Sequence, residues 1–181
     1  MGTVGELQYQ CAMSLDGFIA GPNGDMSWLA GNTGPDPTVD RIKLETGALL
    51  VGRNTFGGDD PNRGTEHEGE PYGGGWTGEQ FVLTHRVPES PVPGVTFVTD
   101  FVDAVTAAKV SAGEKYVGVL GANIAAQCIE AGLLDEVFVF IAPVLLGDGV
   151  RLFSKPGGGR VSLERLELIE SSNALRFRVV K

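Results

Sequence analysis

The chain of 181 residues contains 42% hydrophobic and 20% charged residues, which is typical of one soluble globular domain with a substantial core. Its formal net charge of −9 excludes a broad basic surface, so neither nucleic acid nor an anionic membrane is an expected partner. Two cysteines and two histidines are too few for a zinc site built from several such ligands.

Neither export nor membrane insertion is expected from the sequence. Residues 1–10 lack the basic and apolar regions of a signal peptide, and the longest apolar run, residues 137–146, is too short to span a bilayer. Cys11 and Cys128 lie in apolar contexts that suit reduced core residues. We therefore expect a cytoplasmic protein.

The first predicted strand covers residues 7–13, in which larger side chains alternate with polar or small ones. Residues 14–24 follow as a loop that is dense in turn residues. The loop nevertheless contains Phe18 and Ile19, two side chains of a type that is usually buried. We expect this loop to pack over a neighbouring element.

Capping residues mark two helices in the first two thirds of the chain. Asp36 and Pro37 predict the N-cap and first residue of one helix, which we expect to end at Gly47. Asp100 predicts the N-cap of the second helix, which ends at Gly113. Short apolar runs predict three strands around these helices, at residues 48–52, 81–84 and 95–98.

Residues 57–80 contain eight glycines in 24 positions and predict a long loop or insertion, for which mobility is one hypothesis. Its acidic residues lack the regular spacing of a calcium-binding loop, so we expect no metal site there. These acidic residues are Asp59, Asp60, Glu66, Glu68, Glu70 and Glu79.

The fold is built around a strand–turn–helix–strand pattern in the second half of the chain. A buried strand at residues 116–120 ends at Gly121, and the following helix ends at Gly132, which suits a left-handed C-cap. A second buried strand covers residues 137–142. Such a unit directs helix N–H groups past its first strand, where a phosphate can bind. A glycine that only makes the corner is the alternative.

Residues 163–170 and 174–181 predict a C-terminal antiparallel hairpin, whose second strand alternates in the manner of a half-exposed strand. The hairpin could pair with a second subunit, so we expect a homodimer. We predict one α/β domain over residues 1–181, with a mixed, mainly parallel sheet flanked by about four helices. The alternating residues are Leu175, Phe177 and Val179 against Arg176 and Arg178.

Six motifs in this order resemble the dihydrofolate-reductase-like fold. They are more closely similar to the reductase domain of the riboflavin-biosynthesis deaminase-reductase proteins. The resemblance covers roughly residues 7–180. The motifs are MSLDGFIA (13–20), GRNTF (52–56), VLTHR (82–86), LGAN (120–123), IAPVLLG (141–147) and the C-terminal hairpin.

This resemblance implies that NADPH binds across the C-terminal ends of the strands. Ala12, through its backbone, and Ile19 would contact the nicotinamide. The resemblance assigns the phosphates to three groups: Gly52, Arg53, Asn54 and Thr55 at a helix start, Thr84, His85 and Arg86 around the 2′-phosphate, and Gly121, Ala122, Asn123 and Ile124 around the pyrophosphate.

Elementary electrostatics favours the same edge of the sheet. Arg53 and Arg86 each follow a buried strand, so both should project from the edge that carries Gly121. Guanidinium groups and a helix N-terminus suit the phosphates of a tetra-anionic cofactor, which a chain of net charge −9 would otherwise repel. Solvated loop charges are the alternative for each arginine, and a surface role is the alternative for His85.

Asp16 and Asp25 are the candidate catalytic residues, as donors of the proton that must reach the reduced atom. Water is the alternative donor, and Asp16 also suits a turn-forming role. Trp28 and Phe56 are candidate substrate contacts, with core packing as the alternative. Folate-reducing members carry an acid shortly after the tryptophan, whereas residues 29–33 contain none. Dihydrofolate reduction is therefore disfavoured.

We expect an NADPH-dependent reductase that transfers hydride to a carbonyl or imine carbon of a small heterocyclic substrate. The resemblance suggests the ring-opened ribose of 5-amino-6-(5-phosphoribosylamino)uracil. The zinc-dependent deaminase motifs Cys-x-x-Cys and His-x-Glu do not occur in the sequence. A pterin-type reductase is one alternative. A catalytically silent nucleotide-binding protein is another, because Ala122 replaces the second glycine of the family's pyrophosphate turn.

Overall fold

The computed structural model describes residues 5–32 and 34–181; the predictions that fall on residues 1–4 and Thr33 lie outside this part. The strands are β1 (Leu7–Ser14), β2 (Phe18–Ala20), β3 (Thr46–Gly52), β4 (Glu79–Leu83), β5 (Val95–Val98), β6 (Tyr116–Leu120), β7 (Leu134–Ala142), β8 (Val150–Arg151), β9 (Leu163–Ile169) and β10 (Ala174–Val179). The α-helices are α1 (Pro37–Glu45), α2 (Arg53–Phe56), α3 (Phe101–Ala112) and α4 (Ala122–Glu130).

Eight strands form a central sheet in the order β5-β4-β3-β6-β1-β7-β10-β9. The first six of these run parallel, and β10 is antiparallel to both β7 and β9. The sheet confirms the predicted mainly parallel α/β class and its C-terminal antiparallel hairpin. The unit β6–α4–β7 is also confirmed, with β1 inserted between its two strands.

All the parallel strands end at one edge of the sheet, which we call the carboxyl rim. We define the rim by the ends of five of these strands, β1, β3, β4, β6 and β7, and the residues that follow them, namely 14–17, 52–56, 84–86, 121–124 and 142–147.

The two faces of the sheet carry different cores. The back face is covered by α3 and α4, whose Ala108, Ile124 and Cys128 pack with apolar residues of five strands. The front face carries Ala12 and Phe140, and it is covered by α1 and the glycine-rich segment 57–80. The back-face strand residues are Leu7, Tyr9, Ala48, Leu50, Phe81, Val117, Val119, Leu134 and Val137.

Local capping chemistry determines where the longer helices begin and end. The carboxylates of Asp36 and Asp100 accept backbone N–H groups of the first turns of α1 and α3, at 2.7 and 3.0 Å. Gly113 and Gly132 follow α3 and α4 with φ angles of +61° and +68°, which favour glycine. These four predictions are confirmed.

The prediction that the first helix ends at Gly47 is wrong. The helix ends at Glu45, and Gly47 lies inside β3. A Cβ atom at Gly47 would lie 2.5 Å from the carbonyl oxygen of Ala112. The glycine is therefore required by the close approach of the end of α3 to β3.

The loop predicted over residues 14–24 contains a short strand. Within it, β2 pairs with β8 in a separate two-stranded sheet. Phe18 is 4% exposed, and the guanidinium of Arg151 lies over its ring at 4.7 Å. As expected, the apolar residues of this loop pack over a neighbouring element.

β10 is a half-exposed strand, as predicted, and its arginines also have a buried partner. Glu136 of β7 is completely buried, and both arginines reach it: Arg176 Nε donates to its carboxylate at 2.7 Å and Arg178 Nη2 at 3.2 Å. Gln8 and Tyr116 donate to the same carboxylate. We call these five residues the Glu136 network. It lies on the front face, near the amino-terminal ends of the parallel strands.

In the part of the chain that the structure describes, the helices are too short or too polar to cross a membrane.

Candidate functional site

The strand ends at the carboxyl rim are in register. Gly52 at the end of β3 pairs with Leu83 of β4, and Leu120 at the end of β6 pairs with Val51 of β3. The segments that follow these strands therefore start side by side at the same edge. The structure thus brings together the three groups of predicted phosphate-binding residues, in segments 52–55, 84–86 and 121–124.

Gly121 forms the tightest packing at the rim. Its φ angle is +108°, and a Cβ atom there would lie 2.5 Å from Oγ1 of Thr55. A Cβ atom at Gly52 would make only an ordinary contact, 3.7 Å from Cγ2 of Ile124. Gly121 therefore leaves room for the Thr55 side chain, which brings α2 against the start of α4.

The amino terminus of α4 is suited to binding an anion. No side chain caps this nine-residue helix, and its first turn contains no acidic residue. Asn123 accepts a hydrogen bond from Gln127 Nε2 at 2.8 Å, so its side chain is held along the helix. The positive end of the helix dipole and the first-turn N–H groups of residues 122–124 remain available for an external ligand.

The rim arginines are exposed and have no carboxylate partner. Among the described residues, neither Arg53 nor Arg86 makes an ion pair or a side-chain hydrogen bond. His85 is also exposed. Thr84 is buried, and its hydroxyl oxygen accepts from the Arg86 amide at 3.1 Å. The turn is thus fixed while the Arg86 guanidinium stays free.

The two predicted nicotinamide contacts lie in different surroundings. Ala12 is half-buried on the front face and pairs with Phe140 of β7. Ile19 is half-buried in β2 and packs against the back-face cluster. Asn54 lies in the four-residue helix α2 and is exposed.

Asp16 closes the loop between β1 and β2 onto the segment after β7. Its carboxylate accepts from Ser14 Oγ at 2.6 Å, and from the amides of Leu146 and Gly147 at 3.0 and 2.7 Å. These hydrogen bonds, with Ser14 the strongest, lower the pKa of Asp16 to about 2. The carboxylate is therefore ionised at neutral pH and holds the rim together.

Asp25 performs a local capping function. Its carboxylate accepts from the amide and the hydroxyl of Ser27, at 3.1 and 3.0 Å, in an exposed turn. The next turn contains Trp28, whose buried indole N–H has no partner among the described residues. A buried donor without a protein partner is rare and is a candidate contact for a ligand or water.

Phe56 packs edge-on against Phe97 of β5, with ring centroids 5.5 Å apart. It therefore lies over the outer parallel strands of the sheet. The sequence did not single out two aromatic residues of the front face: Phe140, which pairs with Ala12, and Tyr72, whose hydroxyl donates to Gln10 Oε1 at 2.5 Å. The apolar run around Phe140 does not show which face it occupies, because that strand is buried on both faces. Tyr72 has only one sequence signal, an aromatic ring in a glycine-rich segment.

The ranges 5–32 and 34–181 contain no group of three or more His, Cys, Asp or Glu side chains that could hold a metal ion. A surface cavity of about 470 Å³ lies away from the rim, between the end of α4 and the end of β10. Arg160 and Lys181 contribute its charged groups. None of the predicted site residues lines this cavity. We therefore place the candidate functional site at the carboxyl rim.

Comparison with known proteins identifies relatives of the chain. Residues 6–175 match the family model of the RibD C-terminal domain. The riboflavin biosynthesis protein RibD of Haemophilus influenzae is 28% identical over 184 residues, covering 80% of this chain and 49% of that protein. The chain thus spans about half the length of this curated relative.

Solved structures show the same fold. A protein from Shewanella sp. PV-4, named for riboflavin biosynthesis, superposes with a TM-score of 0.72 at 21% identity and covers 97% of this chain and 99% of that one. Dihydrofolate reductase from Enterococcus faecalis, solved with NADP(H), gives a TM-score of 0.58 at 18% identity, with 99% and 96% covered. The expected dihydrofolate-reductase-like fold is confirmed.

Proposed function

This chain belongs to the RibD C-terminal domain family, and on that premise we propose that it is an NADPH-dependent reductase. Family and fold together support an oxidoreductase. One observation carries the cofactor proposal: two unpaired arginines, a glycine contact and an uncapped helix start share one rim of a chain with net charge −9. These groups fit the phosphates of a dinucleotide.

Each part of the rim suits a different part of the cofactor. The N–H groups at the start of α4 and the close backbone at Gly121 would hold the pyrophosphate. Arg86, with Thr84 fixing its turn, would bind the 2′-phosphate together with His85. Arg53 would add charge beside the pyrophosphate. Asn54 and Thr55 lie in the same segment.

The nicotinamide would lie over Ala12, which is half-buried on the front face and has a side chain small enough for close approach of a ring. Bound NADPH supplies the hydride. The residues of the chain bind, orient and shield the reactants, which is the larger part of what such a protein contributes.

The proton for the reduced atom would come from water in this proposal. Asp16 is ionised and engaged in three hydrogen bonds, so it positions the loop after β1. Asp25 is engaged with Ser27. Neither carboxylate is free to approach a substrate without breaking these contacts.

The substrate would be a small heterocycle of the riboflavin pathway, with 5-amino-6-(5-phosphoribosylamino)uracil as the leading candidate. The unpartnered indole N–H of Trp28 offers one hydrogen-bond donor for such a ligand. The described residues after Trp28, 29–32, contain no acid that could anchor a pterin. We therefore propose that dihydrofolate is not a substrate.

A turnover assay tests this proposal. The protein is mixed with NADPH and either 5-amino-6-(5-phosphoribosylamino)uracil or dihydrofolate, and loss of NADPH absorbance is followed. We expect oxidation of NADPH with the pyrimidine and none with dihydrofolate. The reverse preference would favour a pterin-type reductase. Binding of NADPH without turnover of either compound would favour a silent nucleotide-binding protein.

We also propose a homodimer that forms through the outer edge of the sheet. β9 is the edge strand and exposes Leu163, Leu166 and Leu168 by 46, 41 and 50%. An open edge with exposed leucines can extend its sheet with a second copy. Light scattering should give twice the monomer mass, and Leu168→Lys should shift it toward the monomer.

A cytoplasmic location is proposed from the cysteines. Cys11 and Cys128 are both free, and burial raises the pKa of each thiol to about 12. Cys128 is buried and Cys11 half-buried, and protonated thiols react slowly, which suits packing residues of a reducing compartment.

A further inference from the structure

We propose that the surface cavity between the end of α4 and the end of β10 binds a small amphiphilic carboxylate, which carries one negative charge on an apolar body. We call this space the α4–β10 cavity. Leu134, the first residue of β7, lines it, whereas on this strand the carboxyl rim begins at Ala142, the last residue. At about 3.3 Å per residue, these two ends lie about 26 Å apart along β7. The inference is therefore independent of the proposed reductase function.

The floor of the α4–β10 cavity is apolar and belongs to the core. Leu134 is only 1% exposed and is part of the back-face cluster, and Ile129 and Val179 pack against that cluster. Val161, which precedes β9, adds a further apolar side chain. The cavity volume of about 470 Å³ lies within the range of about 300–1,000 Å³ that small-molecule sites occupy. A ligand with a hydrocarbon body would cover this apolar surface.

Backbone hydrogen bonds hold both walls of the cavity. The Val180 amide donates to the Ser162 carbonyl at 2.9 Å, which joins the end of β10 to the residues before β9. At the end of α4, the Gly132 amide donates to the Ile129 carbonyl at 3.0 Å, and the Leu133 amide donates to the Cys128 carbonyl at 2.8 Å. Because these helix carbonyls are already engaged, the repulsion that a helix C-terminus exerts on an anion is limited.

The charged side chains that line the cavity are both basic. They belong to Arg160 and Lys181, and no acidic residue occurs among the described residues of the lining. This contrasts with the chain as a whole, which has 23 acidic and 14 basic residues. The lining therefore differs in sign from the protein around it and suits a negatively charged ligand.

Arg160 is the better anchor for the ligand. Lys181 Nζ already pairs with the Asp135 carboxylate at 2.7 Å. Arg160 Nε donates to Ser162 Oγ at 3.3 Å, and within residues 5–32 and 34–181 the guanidinium has no carboxylate partner. Its two terminal nitrogens can donate in parallel to both oxygens of a carboxylate.

The balance of the lining sets the class of ligand. One unpaired guanidinium matches one negative charge, and the apolar floor matches a short hydrocarbon or a ring. A dinucleotide or inorganic phosphate carries more charge than Arg160 alone can satisfy, and neither would cover the apolar floor. Hexanoate is therefore a suitable probe, with hexan-1-ol as its uncharged counterpart.

The test is an amide chemical-shift titration with each of these two compounds. Hexanoate should shift the amides of residues 129–134, 160–162 and 179–181, and it should bind about tenfold more tightly than hexan-1-ol. Arg160→Ala should abolish this preference, whereas Arg165→Ala, at an exposed arginine of β9, should keep it. Val161→Asp places a carboxylate in the lining and should prevent hexanoate binding.

Three outcomes overturn the inference. The first is the absence of shifts around the cavity at the highest soluble concentration of hexanoate. The second is an equal affinity for hexanoate and hexan-1-ol, or an unchanged hexanoate affinity in Arg160→Ala, because the anchor would then be wrong. The third is competition between hexanoate and NADPH, which would place hexanoate at the rim. Unchanged hexanoate affinity with NADPH present supports a separate site, and hexanoate binding without any NADPH binding would count against the proposed function alone.

Discussion

Arginines occur in two contrasting regions of this molecule. In the Glu136 network, Arg176 and Arg178 share a carboxylate that is completely buried. At the carboxyl rim, Arg53 and Arg86 are exposed and have no partner in the part of the chain that the structure describes. The sequence pattern alone does not distinguish the four, because each is an arginine in a strand or directly after one.

The difference shows which charges serve the fold and which serve a ligand. A chain with 23 acidic residues has many carboxylates that could neutralise exposed arginines. Two arginines without a partner beside an uncapped helix start create a local positive field on an acidic protein. We therefore expect substitutions in the network to change stability and substitutions at the rim to change binding.

The largest effect is expected from Glu136→Ala. Removal of the carboxylate leaves the Arg176 side chain, which is 20% exposed, without its counter-ion. The free energy of unfolding should fall by about 3–5 kcal/mol, measured by urea denaturation. Glu164→Ala, an exposed residue of β9, is the control and should change it by less than about 0.5 kcal/mol. A decrease in unfolding free energy below about 1 kcal/mol for Glu136→Ala would show that the Glu136 network contributes little to stability.

A smaller effect, on binding alone, is expected from Arg86→Ala. Loss of a charge-assisted hydrogen bond to the 2′-phosphate should weaken NADPH binding about tenfold to a hundredfold. Affinity for NADH, which lacks this phosphate, should hardly change. The matched control is Arg165→Ala, an exposed arginine of β9. If both variants weakened NADPH binding equally, general charge attraction would explain the result and the rim assignment would be lost.

The smallest effect is a pH dependence from Asp16→Asn. The folded pKa of Asp16 lies at about 2, below its ordinary value of 3.8. Ionised Asp16 therefore stabilises the fold above about pH 4, and this contribution is lost as the pH falls toward 2. Wild-type stability should decline more steeply across this interval than that of Asp16→Asn. Glu89→Gln controls for the removal of one carboxylate. Parallel curves of stability against pH for the wild type and Asp16→Asn would show that the hydrogen bonds of Asp16 do not stabilise the fold.

Features encoded by neighbouring residues could be predicted from the sequence. The caps at Asp36 and Asp100 and the glycines at 113 and 132 act within one helical turn, so local spacing reveals them. The convergence of strand ends followed from the parallel sheet, because such strands share one carboxyl edge.

Features that depend on distant contacts were not predictable. Gly47 is required by Ala112, 65 positions along the chain, and no local pattern carries that information. The alternation in β10 correctly predicted a half-exposed strand, but the buried Glu136 that binds both of its arginines belongs to another strand. The hydrogen bonds that the Asp16 carboxylate accepts from the amides of residues 146–147 likewise join distant parts of the chain.

Amide chemical shifts during NADPH titration test the central claim most directly. We predict that the shifts concentrate in residues 53–55, 84–86 and 121–124 at the carboxyl rim, while the amides of the Glu136 network stay unchanged. NADPH should saturate the protein below millimolar concentration. No shift at millimolar NADPH, or shifts centred on the cavity near Arg160 and Lys181, would contradict the account.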